Sequence, residues 1–109
     1  MNFTEYQKFA KVTKKPWDDK ISELVYCGLG LAGEVGEVVE IIKKHFSGSK
    51  PLDGERIGKL KYEIGDVMWY IAALCDAFAF DMGEVAEMNI AKLKKRHGES
   101  FSGYGNRDE

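Results

Sequence analysis

The sequence predicts an all-α fold, a four-helix bundle-like protomer that assembles into a homo-oligomer. Apolar residues recur at spacings of three and four through its long segments, the period of a helix face. No stretch alternates apolar and polar residues as a half-buried strand would. One segment stays apolar on every side, which a chain of 109 residues is poorly equipped to cover alone.

Phe3, Tyr6, Phe9, Ala10 and Val12 stand among polar neighbours over residues 2–13, a short amphipathic helix. Lys14-Lys15-Pro16 interrupts it, because proline disfavours helix at the residue before it. Asp18 or Asp19 is placed to cap a second helix, at about 19–46. Leu24, Cys27, Leu31, Val35, Val38 and Ile42 trace one apolar stripe along it. Gly28, Gly30, Gly33 and Gly36 fall inside the same helix, where each costs roughly 1 kcal/mol relative to alanine. The unbroken stripe argues that they serve close packing. Residues 47–54, Ser-Gly-Ser-Lys-Pro-Leu-Asp-Gly, let the chain reverse.

A third helix is expected at about 55–80, with Ile57, Leu60, Ile64, Val67, Ile71, Leu74 and Phe78 on one stripe. From Val67 its opposite face is apolar too, at Trp69, Ala73, Ala77 and Phe80, which places this helix at the centre of the oligomer. Asp81-Met82-Gly83 breaks it. A fourth helix follows at about 83–97, weakly apolar and basic at its end. Residues 1–98 thus form one domain, and 99–109 a polar tail in which Phe101 and Tyr104 are the only anchors.

The formal charge of −2 offers no basic excess for a nucleic-acid polymer. The most apolar run, Val67 to Phe80, contains Asp76 and falls short of the ~20 residues that span a membrane. The opening Met1-Asn2-Phe3-Thr4-Glu5 lacks the basic and apolar regions of a secretory signal. Cys27 and Cys75 sit in apolar helical patterns without metal-ligand spacing. They read as reduced, buried thiols of a cytoplasmic protein, with a Cys27–Cys75 disulfide as the alternative.

Two acidic pairs stand out, Gly33-Glu34-Val35-Gly36-Glu37 and Glu63-Ile64-Gly65-Asp66, with 25 residues between Glu37 and Glu63. Positions three apart project from one helix face. Each pair lies one residue before apolar stripe positions, so both flank the core in the same sense. If the two helices fold back antiparallel, four carboxylates converge. Their repulsion must be offset by protons or cations. Oxygen-only ligands select hard cations, so Mg2+ is expected, with Mn2+ as a substitute. Glu40 repeats the step but rotates away to the surface. No Ser/His/Asp or Cys/His set competes, and the glycine-rich stretches do not match a P-loop.

In these residues the sequence resembles the MazG-like all-α nucleoside triphosphate pyrophosphohydrolases, relatives of the dimeric dUTPases and dCTP pyrophosphatases. The shared pattern is E-x-x-E followed by E-x-x-D, here Glu34, Glu37, Glu63 and Asp66. Asn89-Ile90-Ala91-Lys92-Leu93-Lys94-Lys95-Arg96 looks like the family's N-x-x-K-L-x-x-R segment. The resemblance covers about residues 3–98. It implies Mg2+-dependent cleavage of a nucleoside triphosphate between the α- and β-phosphates; the all-round apolar third helix adds the expectation of a homodimer or homotetramer. It further implies that the four acidic residues hold the metal and serve catalysis, and that Asn89, Lys92 and Arg96 meet the substrate. Tyr70 and Trp17 match base- or sugar-contacting positions. The chain departs from the pattern at Arg96-His97-Gly98, where several members read Arg-Tyr-Pro. It departs again at Lys44, where dCTP-preferring relatives can carry an aromatic residue.

Plainer readings compete. One E-x-x-E on a helix is ordinarily a solvated face; two pairs at matching positions weigh against that. Lys92 and Arg96 also suit a helix C-terminus electrostatically. Trp17 can be a hydrophobic anchor, and Tyr70 core at an oligomer interface. The functional alternative is a non-catalytic helical module that binds nucleotide or metal as a regulatory subunit.

Overall fold

The computed structural model describes residues 1–98; the tail expected at 99–109 lies outside the described residues. Four helices, α1 (Phe3–Val12), α2 (Lys20–Phe46), α3 (Gly54–Ala77) and α4 (Met82–His97), account for its regular structure, and no strand occurs among the described residues. The all-α expectation holds.

Each helix starts on a side chain that accepts from an otherwise orphaned backbone amide. Asn2 accepts from Glu5, and the Glu5 carboxylate accepts from the Asn2 amide, closing a capping box. Asp19, Asp53 and Asp81 cap the other three. The third helix stops at Ala77, three residues before the expected Phe80. There the Phe80 amide donates to the Cys75 carbonyl at 2.8 Å and the Ala79 amide to the Asp76 carbonyl at 3.0 Å. This is a Schellman termination, with Ala79 at φ 59° in the left-handed position that glycine prefers. Ala79→Gly is therefore expected to stabilise the protein by about 1 kcal/mol, read as a higher denaturant midpoint at unchanged slope.

The long helices α2 and α3 pack antiparallel. Arg56 reaches the Ile41 carbonyl, Tyr70 lies on Gly30, and Lys20 reaches the Ala77 carbonyl. The line that α2 turns towards α3 is Glu23, Cys27, Gly30, Glu34 and Ile41, one residue back from most of the expected apolar stripe. On α3 the matching line is Arg56, Glu63, Tyr70 and Ala77. At 100° per residue, positions one later on both antiparallel helices turn to the same side. Val35 and Ile42 of α2, Ile57, Ile64 and Ile71 of α3 and its C-cap Phe78 occupy that side, between 37 % (Ile71) and 50 % (Phe78) exposed.

The opposite side is covered by α1. Tyr6, Ala10, Trp69, Ala72, Cys75 and Met82 form the core there, and the Trp69 indole donates to Thr13 Oγ1 at 2.8 Å. Gln7 stitches the α3–α4 turn to α1, donating to the Phe80 carbonyl and accepting from the Met82 amide, both at 2.8 Å. Residues 72–77 of α3 are thus covered within the chain. What stays bare is the Ile57–Phe78 side. The fourth helix packs on α1 and the end of α3 but not on α2, so one protomer does not close a four-helix bundle.

A cluster of ion pairs fixes the connection between α1 and α2. Lys14, its side chain only 8 % exposed, contacts Glu23 and donates to Asp76 Oδ2 at 2.8 Å. Lys20 adds a bond to Glu23 at 3.1 Å, and Lys11 lies 3.5 Å from Asp76. Both cysteines are buried free thiols. No helix of the described residues is long and apolar enough to cross a membrane.

Candidate active site

Between α2 and α3, Glu34, Glu63 and Asp66 each present an oxygen within 4.8 Å of the other two. Glu34 and Glu63 are half-buried where the helices face each other, while Asp66 is exposed at the rim. Glu34 has its pKa pushed up by burial first. A hydrogen bond with Glu63 and the charges of Asp66, Glu63 and Glu37 add to the shift. Glu34 therefore holds its proton more readily than a free carboxylate does. Three carboxylate oxygens with no sulfur or nitrogen donor suit a hard divalent ion such as Mg2+ or Mn2+.

Glu37, the fourth carboxylate of the sequence pattern, is exposed and stands outside this trio, though its charge reaches Glu34. Glu40 turns to the surface, where Lys44 lies 3.8 Å away. A shallow groove of about 490 Å³ opens beside Asp66, lined by Gly58, Lys61, Tyr62 and Gly65.

Tyr70 stands one helical turn from Asp66 and beside the trio. A Cβ built on Gly30 would lie 2.1 Å from its ring, so only glycine lets the ring rest on α2. Its hydroxyl donates to Tyr26 Oη at 3.3 Å. That bond first, then burial and the nearby charges of Tyr26 and Glu34, push the Tyr70 pKa up to about 12. Trp17 packs on Tyr26 with ring centroids 5.2 Å apart, and the Lys15 ammonium sits 4.4 Å above its ring.

Asn89, Lys92 and Arg96 are not brought to the trio. All three are exposed on α4, and among the described residues no ion pair joins Lys92 or Arg96 to it. The reason is topological, since α4 turns back along α1 and not across α2. Sequence reasoning missed Tyr26, although it lies one turn before Gly30 and two before Glu34 on the α2 face. It also missed Tyr6, whose pKa rises through burial and the charge of Asp66, placing α1 beside the site. Burial raises both thiols, at Cys27 and Cys75, which leaves neither primed as a nucleophile.

An all-α protein with a carboxylate cluster between two antiparallel helices and an aromatic row beside it belongs to a narrow class. Residues 26–101 match the model of the MazG nucleotide pyrophosphohydrolase domain, and the chain belongs to that family. It is similar to the Gene 37 protein of Mycobacterium phage L5, 37 % identical over 82 residues, which cover 72 % of this chain and 69 % of the relative. No solved structure matches it.

Proposed function

We propose that the protein is a Mg2+-dependent nucleoside triphosphate pyrophosphohydrolase that cleaves a (d)NTP between the α- and β-phosphates. The products are the monophosphate and pyrophosphate. The convergence of Glu34, Glu63 and Asp66 within 4.8 Å carries this reading, together with membership of the family. A divalent cation bound there would polarise the phosphoryl group and ease deprotonation of water. Glu34, held at a raised pKa, is suited to take the proton of the attacking water. Glu37 would close on the cation from its exposed position. On this reading Asn89, Lys92 and Arg96 meet the substrate phosphates in the assembled oligomer, since α4 does not approach α2 within one chain. The setting is the cytoplasm, where both thiols stay reduced.

The test is pyrophosphate release from a panel of dNTPs with Mg2+, Mn2+ or EDTA. Release that stops with EDTA supports the reading. Nucleotide binding without release from any member of the panel would make the protein a binding module instead.

The oligomer of this reading joins two copies through the bare α2–α3 side. That side presents Val35, Ile42, Ile57, Ile64, Ile71 and Phe78 without a charge among them. Ile71→Lys would bury an unpaired ammonium there, and is expected to weaken assembly by at least ~100-fold. Sedimentation at micromolar concentration checks it. A wild type that sediments as a stable, folded monomer would remove the interface.

A further inference from the structure

Three rings run in sequence away from the acidic trio, and only the first and last were expected to matter. Tyr70 rests on Gly30 beside Glu34. Tyr26 follows, 5.9 Å from it between centroids, and then Trp17, 5.2 Å further on. The rings tilt by 48° and 43° to their neighbours, so they form one continuous wall and not a sealed stack. Tyr70 is fixed on three sides. Gly30 lies beneath it, the Tyr26 hydroxyl holds its phenol at 3.3 Å, and Trp69 meets it edge-on at 5.0 Å. Trp69 is itself anchored by its bond to Thr13. Tyr26 is 42 % exposed between the rings of Trp17 and Tyr70.

We propose that Tyr26 is a substrate-binding residue, whose ring contacts the planar base of a nucleotide held by its phosphates at the Glu34–Glu63–Asp66 cluster. The inference rests on the proposed function for the phosphate end and stands on the wall's geometry for the base end. Aromatic faces bind any base by stacking, with little dependence on its hydrogen-bonding edge. The wall begins beside the carboxylates and extends by two further rings, a reach matched to a nucleoside whose phosphates sit at the cluster. Through its hydroxyl, Tyr26 also holds Tyr70 in place between the cluster and the base.

The test compares two probes with Mg2+ present. One is a non-hydrolysable α,β-methylene deoxynucleoside triphosphate. The other is inorganic tripolyphosphate, which carries the phosphates without a base. Tyr26→Ala is expected to weaken binding of the nucleotide analogue by roughly 5- to 150-fold and to leave tripolyphosphate within twofold. Tyr26→Phe, which keeps the ring, should recover the nucleotide affinity to within about threefold of wild type. Where turnover is measurable, Tyr26→Ala should raise KM far more than it lowers kcat. Equal weakening of both probes would make Tyr26 structural and overturn the proposal, as would no weakening of either or a Phe variant as poor as Ala. The two readings fail separately. A wild type that binds the analogue through Tyr26 but hydrolyses no dNTP would sink the proposed activity alone. One that hydrolyses dNTPs with a Tyr26→Ala KM unchanged would sink the wall alone.

Discussion

Lys14→Met is expected to destabilise the protein by about 3–5 kcal/mol near neutral pH, the typical effect of breaking a buried ion pair on one side. Lys14 is the hub of the cluster. Its ammonium contacts Glu23 and Asp76 and lies 3.4 Å from the Ala73 carbonyl, so one side chain ties the α1–α2 connection to both α2 and α3. Burial favours its neutral form, but hydrogen bonds and charges from Asp76 and Glu23 outweigh that and raise its pKa. Glu23 is held low by its bonds to Lys14 and Lys20. In Asp76, burial works upwards and is overcome by Lys14 and Lys11, so the net shift is downwards.

The pH dependence follows from these signs. The depressed carboxylates contribute stability that is present above their ordinary range and lost as pH falls through their folded values. The raised lysine contributes stability that is present below its ordinary value and lost as pH rises through its folded one. Wild-type protein should therefore be most stable across the interval between. In Lys14→Met, Glu23 and Asp76 keep their burial without their main partner, so acidification neutralises an unpaired charge. The deficit should shrink as pH falls towards 4. Chemical denaturation at fixed protein concentration across pH 4–8 checks both claims. A deficit under ~1 kcal/mol at pH 7 would show the cluster to be solvent-screened. Lys14→Met combined with Glu23→Leu should recover much of the loss, because replacing both partners by apolar groups leaves less charge stranded.

The cluster also shows why the sequence was only partly legible. Helix existence and type were readable, because periodicity, an Asp cap before α2 and a Gly/Pro/Ser linker all pointed the same way. The closeness of Glu34, Glu63 and Asp66 was readable because spacing puts each pair on a face and antiparallel packing puts the faces together. The exact face was not. The apolar stripe of α2 put Cys27, Val35 and Ile42 on one inward face; Cys27 does look inwards, but Gly30 and Ile41 take the places expected of Val35 and Ile42, which are exposed. A stripe marks what must be covered, and it does not say whether the cover comes from the same chain. The apolar surround of α3 divided in the same way, into a side covered by α1 and α2 and the bare Ile57–Phe78 side.

Long-range pairings left no local signal. Lys14 read as part of a charged helix breaker, and its partners Glu23 and Asp76 lie 9 and 62 residues away in the chain. Gly30 was readable as a contact glycine, but which ring it admits depends on the register of α2 against α3. The place of α4 was least legible. Its basic end suits phosphate, yet its packing is decided by Gln7, Thr4 and the α3–α4 turn. Those are single polar contacts that no periodicity announces.

Glu63→Gln is expected to lower turnover by roughly 10²- to 10³-fold, the scale seen when one preorganised electrostatic group is removed from an active site. The substitution keeps shape and removes charge, so it probes the cluster and not the packing. Burial first, then the hydrogen bond with Glu63 and the charges of Asp66, Glu63 and Glu37, raise the Glu34 pKa. Without metal, the folded state pays for crowding charges that the unfolded chain keeps apart. Sign follows directly: a carboxyl whose folded pKa is raised loses stability as pH rises through that value. Removing the Glu63 charge relieves it, so the metal-free variant should melt at or above the wild type. With saturating Mg2+ the order should reverse. A cation bound only by the native state at 100 times its dissociation constant adds ~2.7 kcal/mol, which moves the midpoint of a domain this size by roughly 10–20 °C. The variant should lose most of that increment. Thermal melts of both proteins with EDTA and with Mg2+ supply the four numbers, and pyrophosphate release supplies the fifth. Equal Mg2+ stabilisation in the two proteins would remove Glu63 from the cation site. Turnover retained within tenfold of wild type would show that the carboxylates of α2 and α3 do not carry the chemistry.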